Sequence, residues 1–226
     1  MSKPVCVVCG IGPKNGASFA RRFSKEGYAV ALLSRKTEYS EELAKELGDA
    51  KAYACDVSSP EAVEAAFASV RSELGPVDVL VFNAGSGSWG NIEEITPEDF
   101  ERGWRINALG AFLTSKQVIP GMVERAAGAI IIVGATASLR GKPFTTGFAP
   151  AKAAQRSLAQ AMARHLGPKG VHVALMIIDG GIGKPTGDEV KTLDPDDIAA
   201  TAYYLTTQNK SAWTFELDLR PHLENW

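Results

Sequence analysis

The chain of 226 residues has only three cysteines and three histidines. Cys6 and Cys9 fall in an apolar run that reads as a strand. Residues three apart on a strand point to opposite faces, so this C-x-x-C spacing describes two buried thiols and excludes a redox pair. His165, His172 and His222 are too far apart to suggest a metal site. An excess of charge of one sign is missing as well: 24 basic and 26 acidic residues leave a formal charge of −2. Nothing there would attract nucleic acid or an anionic membrane. Long apolar runs are absent, and the start, MSKPVCVVCG, has neither the length nor the flanks of a secretory signal or a membrane span. A cytoplasmic location is therefore expected. No linker, repeat or low-complexity stretch divides the chain, so residues 1–226 read as a single domain.

What is present is an alternation of apolar runs and helical patterns. PVCVVC (4–9), YAVALLS (28–34), KAYACDV (51–57), VDVLVFNAG (77–85), AIIIVGA (129–135), VHVALMIID (171–179) and AWTFELDL (212–219) read as strands. Between them lie helical stretches, including SPEAVEAAFASVRSELG with Ser59 as N-cap and Pro60 at the first helical position, long helices around 97–125 and 147–166, and a last helix over 194–208. Continuous Val/Ile/Leu runs indicate strands covered on both faces, hence a parallel sheet. The expectation is an α/β, Rossmann-like doubly wound domain with helices on both faces.

Between the first strand and its helix lies GIGPKNG (10–16). Gly10, Gly12 and Gly16 let backbone approach a pyrophosphate, with Lys14 and Asn15 in the same loop and the helix N-terminus offering its amides. About 20 residues on, where an acid would accept the ribose hydroxyl of NAD, stand Ser34, Arg35 and Lys36. Arg35 suits a 2′-phosphate, and Lys14 adds a second cation. NADP(H) is favoured, with NAD(H) possible.

Lys152 raises a separate question. It starts a helix within FTTGFAPAKAAQ, with no acid, tyrosine, histidine or cysteine within four residues on either side, and Phe148 lies one turn before it. The glycine loop, CDV at 55–57, FNAG at 82–85, RINALGAF at 105–112, VGATASLRG at 133–141 and the Lys152 helix stand in the order and spacing of one family. The chain resembles a short-chain dehydrogenase/reductase over essentially its whole length. The resemblance implies a seven-stranded sheet of order 3-2-1-4-5-6-7. It also implies hydride transfer between a nicotinamide and a small or medium carbonyl or alcohol substrate. By the same analogy Asp56 and Val57 meet the adenine, and Asn83, Ala84 and Gly85 line the cofactor floor. Asn107 holds a water on a kinked helix, Lys152 holds the nicotinamide ribose, and Ile182 offers a backbone contact to the carboxamide. GSGSWGN (85–91) is expected on the substrate side, with Trp89 as an aromatic wall.

Three departures from the family pattern bear on chemistry. Phe148 replaces the tyrosine that gives or takes the proton, Ala135 replaces the serine that binds the substrate oxygen, and Lys14 replaces a glycine of the loop. Thr136 or Ser138 is then expected to supply a hydroxyl, and a water between Asn107 and Lys152 the proton. Two functions remain open: an oxidoreductase with altered proton delivery, and an NADP(H)-binding protein without turnover. A serine hydrolase is excluded, since SGSWG (86–90) lacks the first glycine of G-x-S-x-G and no histidine has a supporting context. Family members pair through the helices corresponding to 97–125 and 147–166, which implies a homodimer or homotetramer.

Overall fold

The computed structural model describes residues 3–185 and 191–224. Strands β1 (Val5–Cys9), β2 (Ala29–Ser34), β3 (Ala50–Ala54) and β4 (Val77–Phe82) alternate with helices α1 (Asn15–Lys25), α2 (Glu38–Leu47) and α3 (Pro60–Glu73). Helix α4 (Pro97–Trp104) runs through a π-helical segment, Arg105–Leu109, into α5 (Gly110–Glu124). There follow β5 (Ala129–Ala135), α6 (Phe148–Leu166), β6 (His172–Ile178), the two-residue strands β7 (Gly181–Ile182) and β8 (Thr192–Leu193), α7 (Pro195–Thr207) and β9 (Glu216–Leu219).

Seven strands form one parallel sheet of order β3-β2-β1-β4-β5-β6-β9, while β7 and β8 pair separately. The order is the expected one, the seventh position being filled by the chain's last strand. Alternate side chains of β1 enter two cores: Val5, Val7 and Cys9 pack with Phe67, Met122 and Leu166 from α3, α5 and α6, and Cys6 and Val8 with Phe19, Leu43 and Ile198 from α1, α2 and α7. Both faces are thus covered by helices, which is why the strands read as unbroken apolar runs. Cys6 and Cys9 lie in different cores and all three cysteines are free. Burial pushes the thiols of Cys6 and Cys9 well up and that of Cys55 to about 11, so they are inert packing residues.

The last strand is shorter than its apolar pattern suggests. Residues Lys210–Ala212 form a 3-10 turn, Trp213 donates to the Gln208 carbonyl at 3.2 Å, and its ring stacks on His172 at 4.8 Å. Side-chain packing takes those residues away from the sheet. The long helix predicted around 97–125 is interrupted by the π segment, whose extra residue per turn supplies the kink.

Strand order reverses between β1 and β4, so helices leave that point in opposite directions and a crevice opens beyond its strand ends. There the backbone is close to its steric limit. Gly10 has φ +94°, and a Cβ on it would sit 2.5 Å from the Ala84 amide nitrogen. Asn83 fastens the same junction, its amide donating to Cys9 O at 2.9 Å and its side chain to Gly10 O at 2.7 Å. Gly10→Ala is expected to destabilise the fold by ~1–3 kcal/mol. Urea unfolding of the cofactor-free chain checks this; an unchanged midpoint would show that the junction is not strained.

Candidate functional site

Two connected clefts open at the reversal point. One of about 500 Å³ is lined by the glycine loop, Arg35, Asp56, Val57, Asn83, Ala84 and Gly85. The other, about 870 Å³, runs from Lys152 past Phe148, Thr136 and Asp179 to Trp89, Phe144, Arg140 and Lys142. Asn15, Asn83, Gly85 and Ile182 line both.

The smaller cleft has the form of an anion cradle. Helices α3, α4 and α7 start with a side-chain cap from Ser59, Thr96 and Asp194, whereas α1 starts at Lys14 with no side-chain cap and no acid in its first turn. Its first amides and positive dipole end are left to the cleft. Gly12 faces open space where a Cβ would intrude, and a Cβ on Gly16 would strike Gly10 O at 2.5 Å. Asn15 Oδ1 is buried with no hydrogen-bond partner among the described residues. At the far end, the Ser58 hydroxyl and amide, with Arg35 farther off, hold the Asp56 carboxyl below its usual range. These features fit a dinucleotide, whose pyrophosphate the loop amides would hold. The Lys14 ammonium donates to Ile182 O at 2.6 Å and clasps the glycine loop to β7.

The larger cavity is built around Lys152. On α6 the ammonium is buried and donates to Val133 O of β5 and to Gln155 Oε1, both at 3.0 Å. Gln155 Nε2 in turn donates to the Asn107 carbonyl at 3.1 Å, at the π-helical kink. Asn107 Nδ2 donates to Ser86 O and Gly103 O, each at 2.8 Å. A side chain that the sequence reading missed, Gln155, thus joins Lys152 to the Asn107 backbone. Its signal was position: three residues after Lys152 on the same helix face, a polar group in a run of alanines. Asn107 is fully buried below the cavity floor, and its Oδ1 has no partner among the described residues. A Cβ on Gly85 would lie 3.3 Å from that oxygen and 3.8 Å from Lys152 Nζ, so the missing side chain leaves a window to both.

Of the two candidate hydroxyls, only Thr136 lines this cavity. Its Oγ1 faces Asp179 Oδ1 at 2.6 Å and Ile178 O at 3.1 Å, so its one proton is already committed. Asp179 is paired with Arg220 at 3.1 Å. Ser138 lines a different, shallower cavity beside Leu139 and Ala149, because the 3-10 turn Thr136–Ser138 rotates it away. Phe148 lines the main cavity, its ring centroid 5.9 Å from Lys152 Nζ and 5.1 Å from that of Trp89. Residues 186–190, between Ile182 and the last helix, lie outside the described residues.

A doubly wound sheet with an uncapped helix over a glycine turn, and a buried lysine in the adjoining cavity, defines a dinucleotide-binding α/β protein. Residues 4–191 match the short chain dehydrogenase family, and the chain belongs to it. It is 36% identical over 155 residues to the inactive 2-(S)-hydroxypropyl-CoM dehydrogenase 2 of Xanthobacter autotrophicus, covering 68% of this chain and 67% of that one. An alcohol dehydrogenase of the archaeon Thermococcus sibiricus, solved with 5-hydroxy-NADP, superposes with TM-score 0.89 at 28% identity, covering 98% of each chain. A variant of actinorhodin polyketide ketoreductase, solved with NADPH, gives 0.90 at 26% identity over the full length of both.

Burial without a counter-charge pushes the Lys152 pKa down to about 8. The folded value lies below the unfolded one, so the unfolded chain binds more protons between about pH 8 and 10.5, and this group's contribution to stability rises with pH across that window. The unfolding free energy of the wild type minus that of Lys152→Met is expected to rise by roughly 3 kcal/mol over that range. Denaturant titrations at several pH values test it, and a flat difference would rule out the lowered pKa.

Proposed function

We propose that residues 1–226 act as one NADP(H)-dependent oxidoreductase domain on a small or medium carbonyl or alcohol substrate, with proton delivery altered at Phe148. The observation that carries this reading is the intact join of cradle and cavity: the same Asn15, Asn83, Gly85 and Ile182 line both, with Lys152 buried at the junction. Two structural relatives solved with NADP-type cofactors support the cofactor. When bound, the nicotinamide supplies or accepts the hydride.

The protein's own residues would bind, orient and hold a proton. The loop amides, Gly12 and Asn15 would take the pyrophosphate, and Arg35, which has no ion-pair partner among the described residues, the 2′-phosphate. Lys152, fixed by Val133 and Gln155, would present an N–H toward the ribose and the reacting oxygen. Phe148 keeps the ring against Trp89 but offers neither donor nor acceptor. With the Thr136 proton committed to Asp179, the buried Lys152 is the group assigned to give a proton, and its lowered pKa suits that role near neutral pH.

Phe148 and the committed Thr136 also favour a second reading, an NADP(H)-binding protein without turnover. Calorimetric titration with NADPH and NADH, followed by assays of NADPH oxidation with a carbonyl panel, separates the two. Arg35→Ala is expected to weaken NADPH roughly 10–100-fold and leave NADH unchanged. Equal loss for both would reject NADP(H) selectivity. Phe148→Tyr is expected to raise turnover about 10²–10⁴-fold at unchanged NADPH affinity. No turnover by either protein, with NADPH still bound, would leave the second reading standing.

Assembly belongs to the same proposal. Phe100, Trp104 and Phe112 are each over two-fifths exposed on α4 and α5, more apolar surface than a lone helix pair usually leaves to water. A homodimer or homotetramer through these helices is expected. A monomer in light scattering at micromolar concentration would refute it.

A further inference from the structure

The outer half of the larger cavity is a second feature that the reductase reading does not use. Its wall is aromatic: Trp89 and Phe144 are stacked with centroids 6.1 Å apart, and Trp89 meets Phe148 at 5.1 Å. Trp89 is 62% and Phe144 52% exposed, a large apolar area left open on that wall. The wall is nonetheless held in place. The Gly90 amide donates to Phe144 O at 2.9 Å, the Thr146 amide to Gly90 O at 3.3 Å, and the Lys142 amide to Thr145 Oγ1 at 2.7 Å. The two loops, 85–91 and 139–147, are thereby stitched into one surface.

On the same lining stand Arg140 and Lys142, both exposed. Neither has a carboxylate partner among the described residues. Two carboxylates also line the cavity, Asp179 and Glu224. Asp179 is engaged by Arg220 and Thr136, which leaves Glu224 against two cations on the side of the aromatic wall. The local balance is positive although the chain as a whole is slightly negative. A flat apolar surface bordered by unpaired cations is complementary to a flat apolar ligand that carries an anion.

We propose that the cavity selects a carbonyl compound in which an aromatic or similarly flat apolar group is joined to a carboxylate, the class of aryl 2-oxo acids. The ring lies on Trp89 and Phe144, and the carboxylate faces Arg140 and Lys142. This rests on the oxidoreductase reading for the role of the carbonyl, but the selection itself is a binding property. It requires no proton donor at Phe148.

Calorimetric titration of the full chain, with and without saturating NADP⁺, tests it, using benzoylformate and its neutral counterpart acetophenone as probes. The oxidised cofactor prevents turnover during the measurement. Benzoylformate is expected to bind about tenfold more tightly than acetophenone at low salt, and the gap to narrow on raising salt to about 0.5 M. In Arg140→Gln/Lys142→Gln the preference should fall to about twofold while NADP⁺ affinity stays unchanged. Trp89→Ala should weaken both probes alike. Equal binding of the two probes, binding of neither, or a preference that survives in the double variant overturns the proposal. Absence of NADPH oxidation alongside selective binding would defeat the oxidoreductase reading and leave this one intact.

Discussion

A buried ammonium organises the site. Lys152 carries a charge, or a proton near to leaving, in a place largely shut off from water, and such a group must be given acceptors. Val133 O supplies one from the central strand β5, and Gln155 supplies another from the same helix. Gln155 then passes the constraint to Asn107 at the π-helical kink. Sheet, α6 and the α4–α5 kink are in this way fixed relative to one another by two side chains, Lys152 and Gln155, bonded to backbone carbonyls of β5 and the kink. Gly85 has no side chain at the one point where the ammonium must remain reachable from the cavity.

Cofactor recognition and proton transfer are separable in this arrangement. The cradle depends on backbone amides, glycines and Asn15, none of which touches Phe148. A ring without a hydroxyl at Phe148 therefore bears on the proposed supply of a proton and not on the cradle. The Phe148 ring packs against Trp89, which continues the aromatic surface toward Phe144.

Much of the fold was legible because burial on both sheet faces writes continuous apolar runs, and because Ser59-Pro60 and the glycine loop have specific local chemistry. The two-residue strands β7 and β8 were not, since two residues carry no periodicity. The early end of the sheet pairing before β9 was hidden for a different reason: Trp213 is as apolar as a strand residue but stacks on His172. Ser138 and Thr136 looked equivalent as hydroxyl donors. A 3-10 turn turns one away, and an aspartate 43 residues distant engages the other.

The sequence by itself determined the doubly wound architecture, the glycine cradle, the positions of Arg35 and Lys152 and the absence of a phenol at Phe148, because each follows from local pattern or from a residue's own chemistry. Only the tertiary structure decided that Lys14 clasps Ile182, 168 residues away, that Gln155 joins Lys152 to Asn107, and that Arg140, Lys142 and Phe144 line one cavity with Trp89. Apart from the Gln155–Lys152 contact, which the helix spacing allows, those pairings are set by where the sheet brings strand ends and loops together in space, and no spacing along the chain encodes them.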